Sequence, residues 1–271
     1  MGPMAPVIPI YQVDSFTDRP FGGNPAAVCL LDEAAPEAWM ANVAAEMNLA
    51  ETAFCWPEDD RFRLRWFTPA VEVALCGHAT LATAHVVWCE RGVSDVTPLR
   101  FATASGELRA ARVGERISLD LPAETAIQPD PAVVNATAEA LGGEVLGAAD
   151  YGANLLVELN GPAALRALTP DIAAVAALPY QGVIVTSTGD TADYLIRYFA
   201  PTVGVPEDPV TGSAQCAAGP WWRTRTGRTT FEVEQASPRS GRLWVEVGDQ
   251  RVSVAGHALT VLRGELVVAG A

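Results

Sequence analysis

The sequence predicts an α+β fold made of two related halves, and two observations carry that prediction. Segments with the period-two alternation of strands outnumber segments with helical periodicity. A strand-loop-helix unit also occurs twice: Arg65-Trp-Phe-Thr-Pro-Ala-Val-Glu-Val-Ala-Leu-Cys76 lies without gaps over Arg197-Tyr-Phe-Ala-Pro-Thr-Val-Gly-Val-Pro-Glu-Asp208.

In chain order, strands are expected at IYQVDSF and AVCLL, followed by a helix from Pro36 to Met47. Strands at ETAFCW and Arg61 to Phe67 come next, the latter alternating Arg63 and Arg65 with Phe62, Leu64 and Trp66. A helix from Gly77 to Arg91 precedes strands ELRAARV and RISLDL. The stretch LPAETAIQPDP then supplies three prolines and no periodicity, so halves of residues 1–125 and 126–271 are expected. In the second half, helices are expected from Pro131 to Leu141, as a pair between Pro162 and Ala177, and from Thr211 to Arg225. Strands NLLVEL, GVIVTS, DYLIRYF, FEVEQ, RLWVEV and RVSVAG surround them. Many strands and few helices argue against a doubly wound βαβ sheet.

Composition narrows the functional classes. With 271 residues, 49% hydrophobic and 18% charged, the chain can bury one large core or two ordinary ones. A formal net charge of -14 repels phosphate backbones and anionic lipid, so no nucleic acid and no membrane partner is expected. Every basic residue is Arg; without Lys there is neither a Schiff-base lysine for pyridoxal phosphate nor a Walker phosphate loop. No signal peptide or long apolar run is read, and five cysteines without a CxxC spacing suggest reduced thiols in a cytoplasm. No cofactor and no metal is expected.

An acidic protein that binds an anionic substrate needs local positive potential. The segments Cys76 to Thr80 and Asp208 to Ser213 each lead into an expected helix, whose free N–H groups can take a carboxylate. Gly77, Gly212, Ala79 and Ser213 would let a ligand approach the backbone closely. Related by a pseudo-two-fold axis, the two loops would face each other across an interdomain cleft, with Cys76 opposite Asp208.

The strings FxxRPFGGNPAAVCLL, MNLAETAF, FTPAVEVALCGHATLATAH and YFAPTVGVPEDPVTGSAQ resemble, in order, the phenazine-biosynthesis-F-like family over nearly the whole chain. The resemblance implies a diaminopimelate-epimerase-like fold, each half a curved mixed sheet or barrel around a central helix. It also implies a cofactor-independent isomerase that moves a proton on a small carboxylate-bearing carbon acid. Glu51 would be the acid/base, with Cys76, Gly77, His78, Asp208, Thr211, Gly212 and Ser213 around the substrate. A homodimer is the expected assembly.

The residues leave alternatives beside that reading. Glu51 lies among apolar neighbours, a setting that suits a carboxyl base and equally an exposed helix-to-strand junction. Asp208 could cap the following helix. Cys76 invites comparison with epimerases that use two facing thiols, but Asp208 at the repeat position gives it no thiol partner. A thiol-dependent epimerase and a catalytically silent binding protein of the same fold stand as alternatives. His85 and His257 are read as structural, and the GGNP turn either as a tight turn or as bringing Asn24 to the site.

Overall fold

The computed structural model describes residues 7–267. Within them lie seventeen strands and six α-helices, an α+β architecture with mixed sheets. Two compact units emerge: residues up to Asp120 together with those from Ala255 on, and Leu121–Val254. Among the described residues no helix is long and apolar enough to cross a membrane.

The first unit contains β1 (Ile8–Ser15), β2 (Asn24–Leu30), α1 (Glu37–Met47), β3 (Glu51–Glu58), β4 (Arg61–Phe67), β5 (Glu72–Val73), α2 (Gly77–Glu90), β6 (Leu99–Thr103), β7 (Gly106–Val113) and β8 (Arg116–Pro122). The second contains α3 (Pro131–Leu141), β9 (Val145–Asp150), β10 (Asn154–Leu159), α4 (Gly161–Arg166), α5 (Ile172–Ala176), β11 (Gly182–Thr188), β12 (Tyr194–Ala200), β13 (Val205–Asp208), α6 (Gln215–Thr226), β14 (Thr230–Gln235), β15 (Gly241–Val247) and β16 (Arg251–Gly256). The last strand, β17 (Ala258–Leu266), pairs antiparallel with β1 from Ser15↔Ala258 to Ile8↔Leu266. This pairing returns the chain end to the first unit, where the sequence placed it in the second half.

The repeat is real at the level of topology. In the first unit β1–β2 is antiparallel, β2–β3 parallel, β3–β4 and β4–β5 antiparallel, β4–β6 parallel and β6–β7 antiparallel. The second unit repeats each step with β9 to β15. Register fixes the equivalences: Phe67 pairs with Thr52 as Phe199 pairs with Val183. Arg65 joins Glu72 at 2.6 Å and stacks over Phe67; Arg197 joins Glu207 at 2.7 Å and stacks over Phe199.

Beyond those phenylalanines the ungapped alignment fails. Val73 lies opposite Trp66, but the residue opposite Tyr198 is Asp208, so the second hairpin is longer and Asp208 corresponds to Val73 rather than to Cys76. A second lengthening precedes α6, which starts at Gln215 with Ala214 as its N-cap, whereas Cys76 caps α2 directly. The expected superposition of Cys76 on Asp208 is therefore corrected, as is the helix start at Thr211. Pro209 removes a donor, and the hydrogen bonds of Asp208 and Thr211 hold the intervening loop non-helical.

Each unit buries a helix. In α2 nearly every residue from Gly77 to Trp88 is buried, because the run GHATLATAHVVW is apolar or small all round and meets β1, β2, β3, β7 and β17. In α6 Gly219 lies so close to the sheet that a Cβ there would sit 2.9 Å from Val247. The cores of these units are built by strand-face residues such as Ile10, Ala27 and Phe54 under α1, and Leu155, Val185 and Leu195 under α4 and α5.

The GGNP turn between β1 and β2 requires its second glycine. Gly23 has φ +61, and a Cβ there would stand 2.1 Å from the Ser15 carbonyl oxygen. Gly23→Ala is expected to cost more than about 2 kcal/mol, since left-handed strain and a backbone clash combine. Gly92→Ala, at φ +63 with nothing within 4 Å, should cost only about 1 kcal/mol. Equal thermal destabilisation of the two variants would remove the clash from the explanation.

Candidate active site

Three of the singled-out residues come together inside the first unit. Glu51 opens β3, placed by its parallel pairing with Ala26 of β2. Cys76 is the extended N-cap of α2, and His78 lies in the first turn of that helix. A carboxylate oxygen of Glu51, the sulfur of Cys76 and a ring nitrogen of His78 all lie within 4.8 Å of one another. Cys76 and His78 are buried, while the Glu51 side chain keeps 16% of its exposure and is the member that a ligand can reach.

The imidazole is held from several sides. Its Nδ1 lies 3.1 Å from Asn24 Nδ2 and 3.6 Å from Cys76 Sγ, and the His78 carbonyl accepts a hydrogen bond from Ser15 Oγ at 2.8 Å. Nε2 approaches Glu51 Oε2 to 3.1 Å, within ion-pair range. The carboxylate and the ring are each other's ion-pair partner, and neither atom has a further hydrogen-bond partner.

Burial opposes a charged His78; negative charge on the Cys76 sulfur, which acts only where the thiol is ionised, and the Glu51 carboxylate raise the imidazole well above its usual value. Burial, then the Glu51 charge, push the Cys76 thiol up, against the weaker pull of His78. A thiol held up in this way stays protonated at neutral pH, so the carboxylate is the counter-charge of the ring. An imidazolium beside a helix N-terminus supplies the local positive potential that an acidic chain otherwise lacks.

The remaining candidates belong to the second unit. Asp208 ends β13, and its Oδ2 accepts from the Thr211 hydroxyl at 2.5 Å; it does not cap α6. Gln235, at the end of β14, donates to the Asp208 carbonyl at 2.7 Å and accepts from the Thr211 backbone N–H at 2.7 Å. Ser237 Oγ donates to the Pro209 carbonyl at 2.7 Å. Gly212 is buried and Ser213 half-buried in the same loop. Gln235, Ser237 and Ser15 were not singled out from the sequence. Gln235 carried a signal nonetheless: with Phe231 and Val233 it occupies the buried face of β14, and a buried carboxamide must find partners.

The repeat does not duplicate the carboxylate. Glu51 pairs with Ala26 as Gly182 pairs with Asn154, so Gly182 stands at the corresponding place in the second unit. The Tyr198 hydroxyl fills that space, 2.3 Å from where a Cβ would be. Nor is the Cys76 thiol duplicated, since the N-cap of α6 is Ala214. Of the other histidines, His85 bonds Thr260 at 3.0 Å, and burial followed by Arg112 pulls its ring down. All five cysteines are free.

The profile of the PhzC-PhzF family, described as phenazine biosynthesis-like protein, matches residues 13–264. An "Uncharacterized isomerase" of Pseudomonas aeruginosa is 48% identical over 265 residues, covering 94% of this chain and 97% of its own. A crystal structure of a PhzF-family phenazine biosynthesis protein from Enterococcus faecalis superposes with TM-score 0.90 at 40% identity, over 96% of this chain and 99% of that one. A hydroxyproline epimerase from Agrobacterium vitis shares the fold, with TM-score 0.60 at 11% identity over 96% of this chain and 92% of its own.

Proposed function

This chain belongs to the phenazine biosynthesis-like family, whose members include named isomerases, and from that premise we propose that it is a cofactor-independent isomerase with Glu51 as acid/base. Its substrate is a small carbon acid that bears a carboxylate. The observation that carries the reading is the buried ion pair of Glu51 Oε2 and His78 Nε2, 3.1 Å apart. A proton acceptor with a free oxygen beside a fixed cation is what removal of a proton from carbon requires.

In this reading one Glu51 oxygen takes the proton from the substrate carbon and returns it to a second carbon of the same molecule. His78 stabilises the negative charge that develops meanwhile, and N–H groups at the start of α2 bind the substrate carboxylate. Asp208, Thr211, Gly212 and Ser213 are proposed as substrate contacts, in a loop held by Gln235. Gly182 and Ala214 support one carboxylate in place of two facing thiols. The direct test is deuterium incorporation into a panel of small carboxylate-bearing carbon acids in D2O with no cofactor added. Binding without exchange across the panel would favour a catalytically silent binding protein.

Asn24 acts as a positioning residue through His78. Asn24→Ala should lower kcat by about tenfold, the value of one hydrogen bond, with KM little changed. Asn24→Asp puts a negative charge beside Nδ1, which favours the imidazolium and should move the alkaline limb of the pH–rate profile upward. A variant that changes only KM, or an alkaline limb that moves down, would contradict this role.

A further inference from the structure

Sequence spacing gave no sign of a metal site, yet the fold sets a thiol, an imidazole and a carboxylate together from two elements distant in the chain. We propose that Cys76 Sγ, a ring nitrogen of His78 and the Glu51 carboxylate form a three-donor site for a borderline-soft divalent cation of the Zn2+ class, and that occupancy shuts off the proton transfer. The ion is an exchangeable inhibitor, not a resident cofactor. The inhibitory half rests on the reading of Glu51 as acid/base; the binding half does not.

The donor set selects the ion. Sulfur and nitrogen together favour Zn2+ and its neighbours over Mg2+ and Ca2+, which take oxygen cages. Zinc bonds of about 2.0–2.3 Å would bring tetrahedral donors to within roughly 3.3–3.8 Å of one another. The three atoms already lie within 4.8 Å, and Cys76 Sγ stands 3.6 Å from the His78 ring.

Glu51 Oε2 and His78 Nε2 are buried and face each other at 3.1 Å with no further hydrogen-bond partner, so a cation between them would give up no other contact. Binding replaces the S–H bond of Cys76 with a metal–sulfur bond and the N–H bond of the coordinating His78 nitrogen with a metal–nitrogen bond, and both protons leave to solvent. With the Glu51 side chain 16% exposed, water can take the fourth position. With its oxygen coordinated, Glu51 cannot accept a proton.

The test uses the full-length, chelator-treated protein with Co2+ as a spectroscopic stand-in and Zn2+ as competitor. One equivalent of Co2+ should bind with thiolate charge-transfer absorption, be displaced by Zn2+ and be released by chelator. Cys76→Ser should lose the absorption, and Cys89→Ser, which alters the exposed thiol outside the site, should retain it. Glu51→Gln keeps the thiol, so it should show the absorption at weakened affinity, which guards against a folding defect in the cysteine variant. Absorption that survives Cys76→Ser, depends on Cys89 or keeps its full affinity in Glu51→Gln overturns the site. Zn2+ should abolish exchange in the parent, and Cys76→Ser should be less sensitive when compared with its own metal-free rate; equal sensitivity overturns the inhibitory role. Should Glu51→Gln exchange deuterium like the parent, the acid/base reading fails, while the cobalt spectra still decide the metal site.

Discussion

Glu51→Gln is expected to fold like the parent and to lose deuterium exchange into the substrate by about a hundred- to ten-thousand-fold. The amide keeps the shape of the side chain at the start of β3, and the backbone pairing with Ala26 does not depend on the carboxylate. What disappears is the oxygen able to accept a proton. Removing the charge should also lower the titration of the His78 ring, because burial, which opposes the imidazolium, then meets less resistance. The sign follows from linkage: a ring raised in the folded state stabilises the fold fully below its unfolded value and loses that contribution as pH rises through the folded one. The parent should thus lose stability as pH rises through a window above the ring's ordinary value, and Glu51→Gln should narrow that window. Cys76→Ser should be milder, since burial already keeps the thiol protonated and unable to act as a base. Measuring exchange and the ring titration by NMR checks both parts. A fully active Glu51→Gln beside an inactive Cys76→Ser would falsify the carboxylate mechanism in favour of a one-thiol epimerase.

The sequence showed what local chemistry dictates and missed what register decides. α1, α2 and α3 fall where Pro36, Gly77 and Pro131 open apolar runs, because helix starts are written in single residues. β9 went unseen because VLGAAD is rich in small residues with weak strand preference. β17 went unseen because its residues are half-buried or exposed, so no alternation marks them. The repeat was legible through Arg65 and Arg197, whose contacts recur, but the shared Val73 and Val205 do not coincide in register. Two lengthened segments in the second copy separate them, and an ungapped comparison cannot show insertions. At the site, Glu51 and His78 were found through residues flanking each, but their adjacency depends on where β3 and α2 begin. Asn24 was visible only through its turn, and Gln235 acts through partners far along the chain, which is why a one-dimensional reading passes over it.

The repeated arginines lead to the largest expected loss of stability. Arg197 is buried; besides its pairing with Glu207, its Nη1 donates to the Leu165 carbonyl in the last turn of α4 at 3.3 Å and to the Leu168 carbonyl just beyond it at 2.8 Å. Arg197→Ala therefore removes a charge partner and two carbonyl donors at once, leaving Glu207 with 18% side-chain exposure unpaired. Deleting one member of a buried pair costs about 3–5 kcal/mol; the partial exposure of Glu207 argues for the lower end, about 3 kcal/mol. Arg65 makes the same stacking and ion-pair contacts, but its carboxylate partners Glu37 and Glu72 retain 70% and 32% side-chain exposure. Water can replace Arg65, so Arg65→Ala should cost only about 1 kcal/mol. Denaturant titration of the two variants checks the contrast, and salt separates the causes: screening should shrink the Arg65 effect and leave most of the Arg197 effect. If the two substitutions proved equally costly, the difference could not lie in burial, and the shared stacking on Phe67 and Phe199 would have to carry the stability instead.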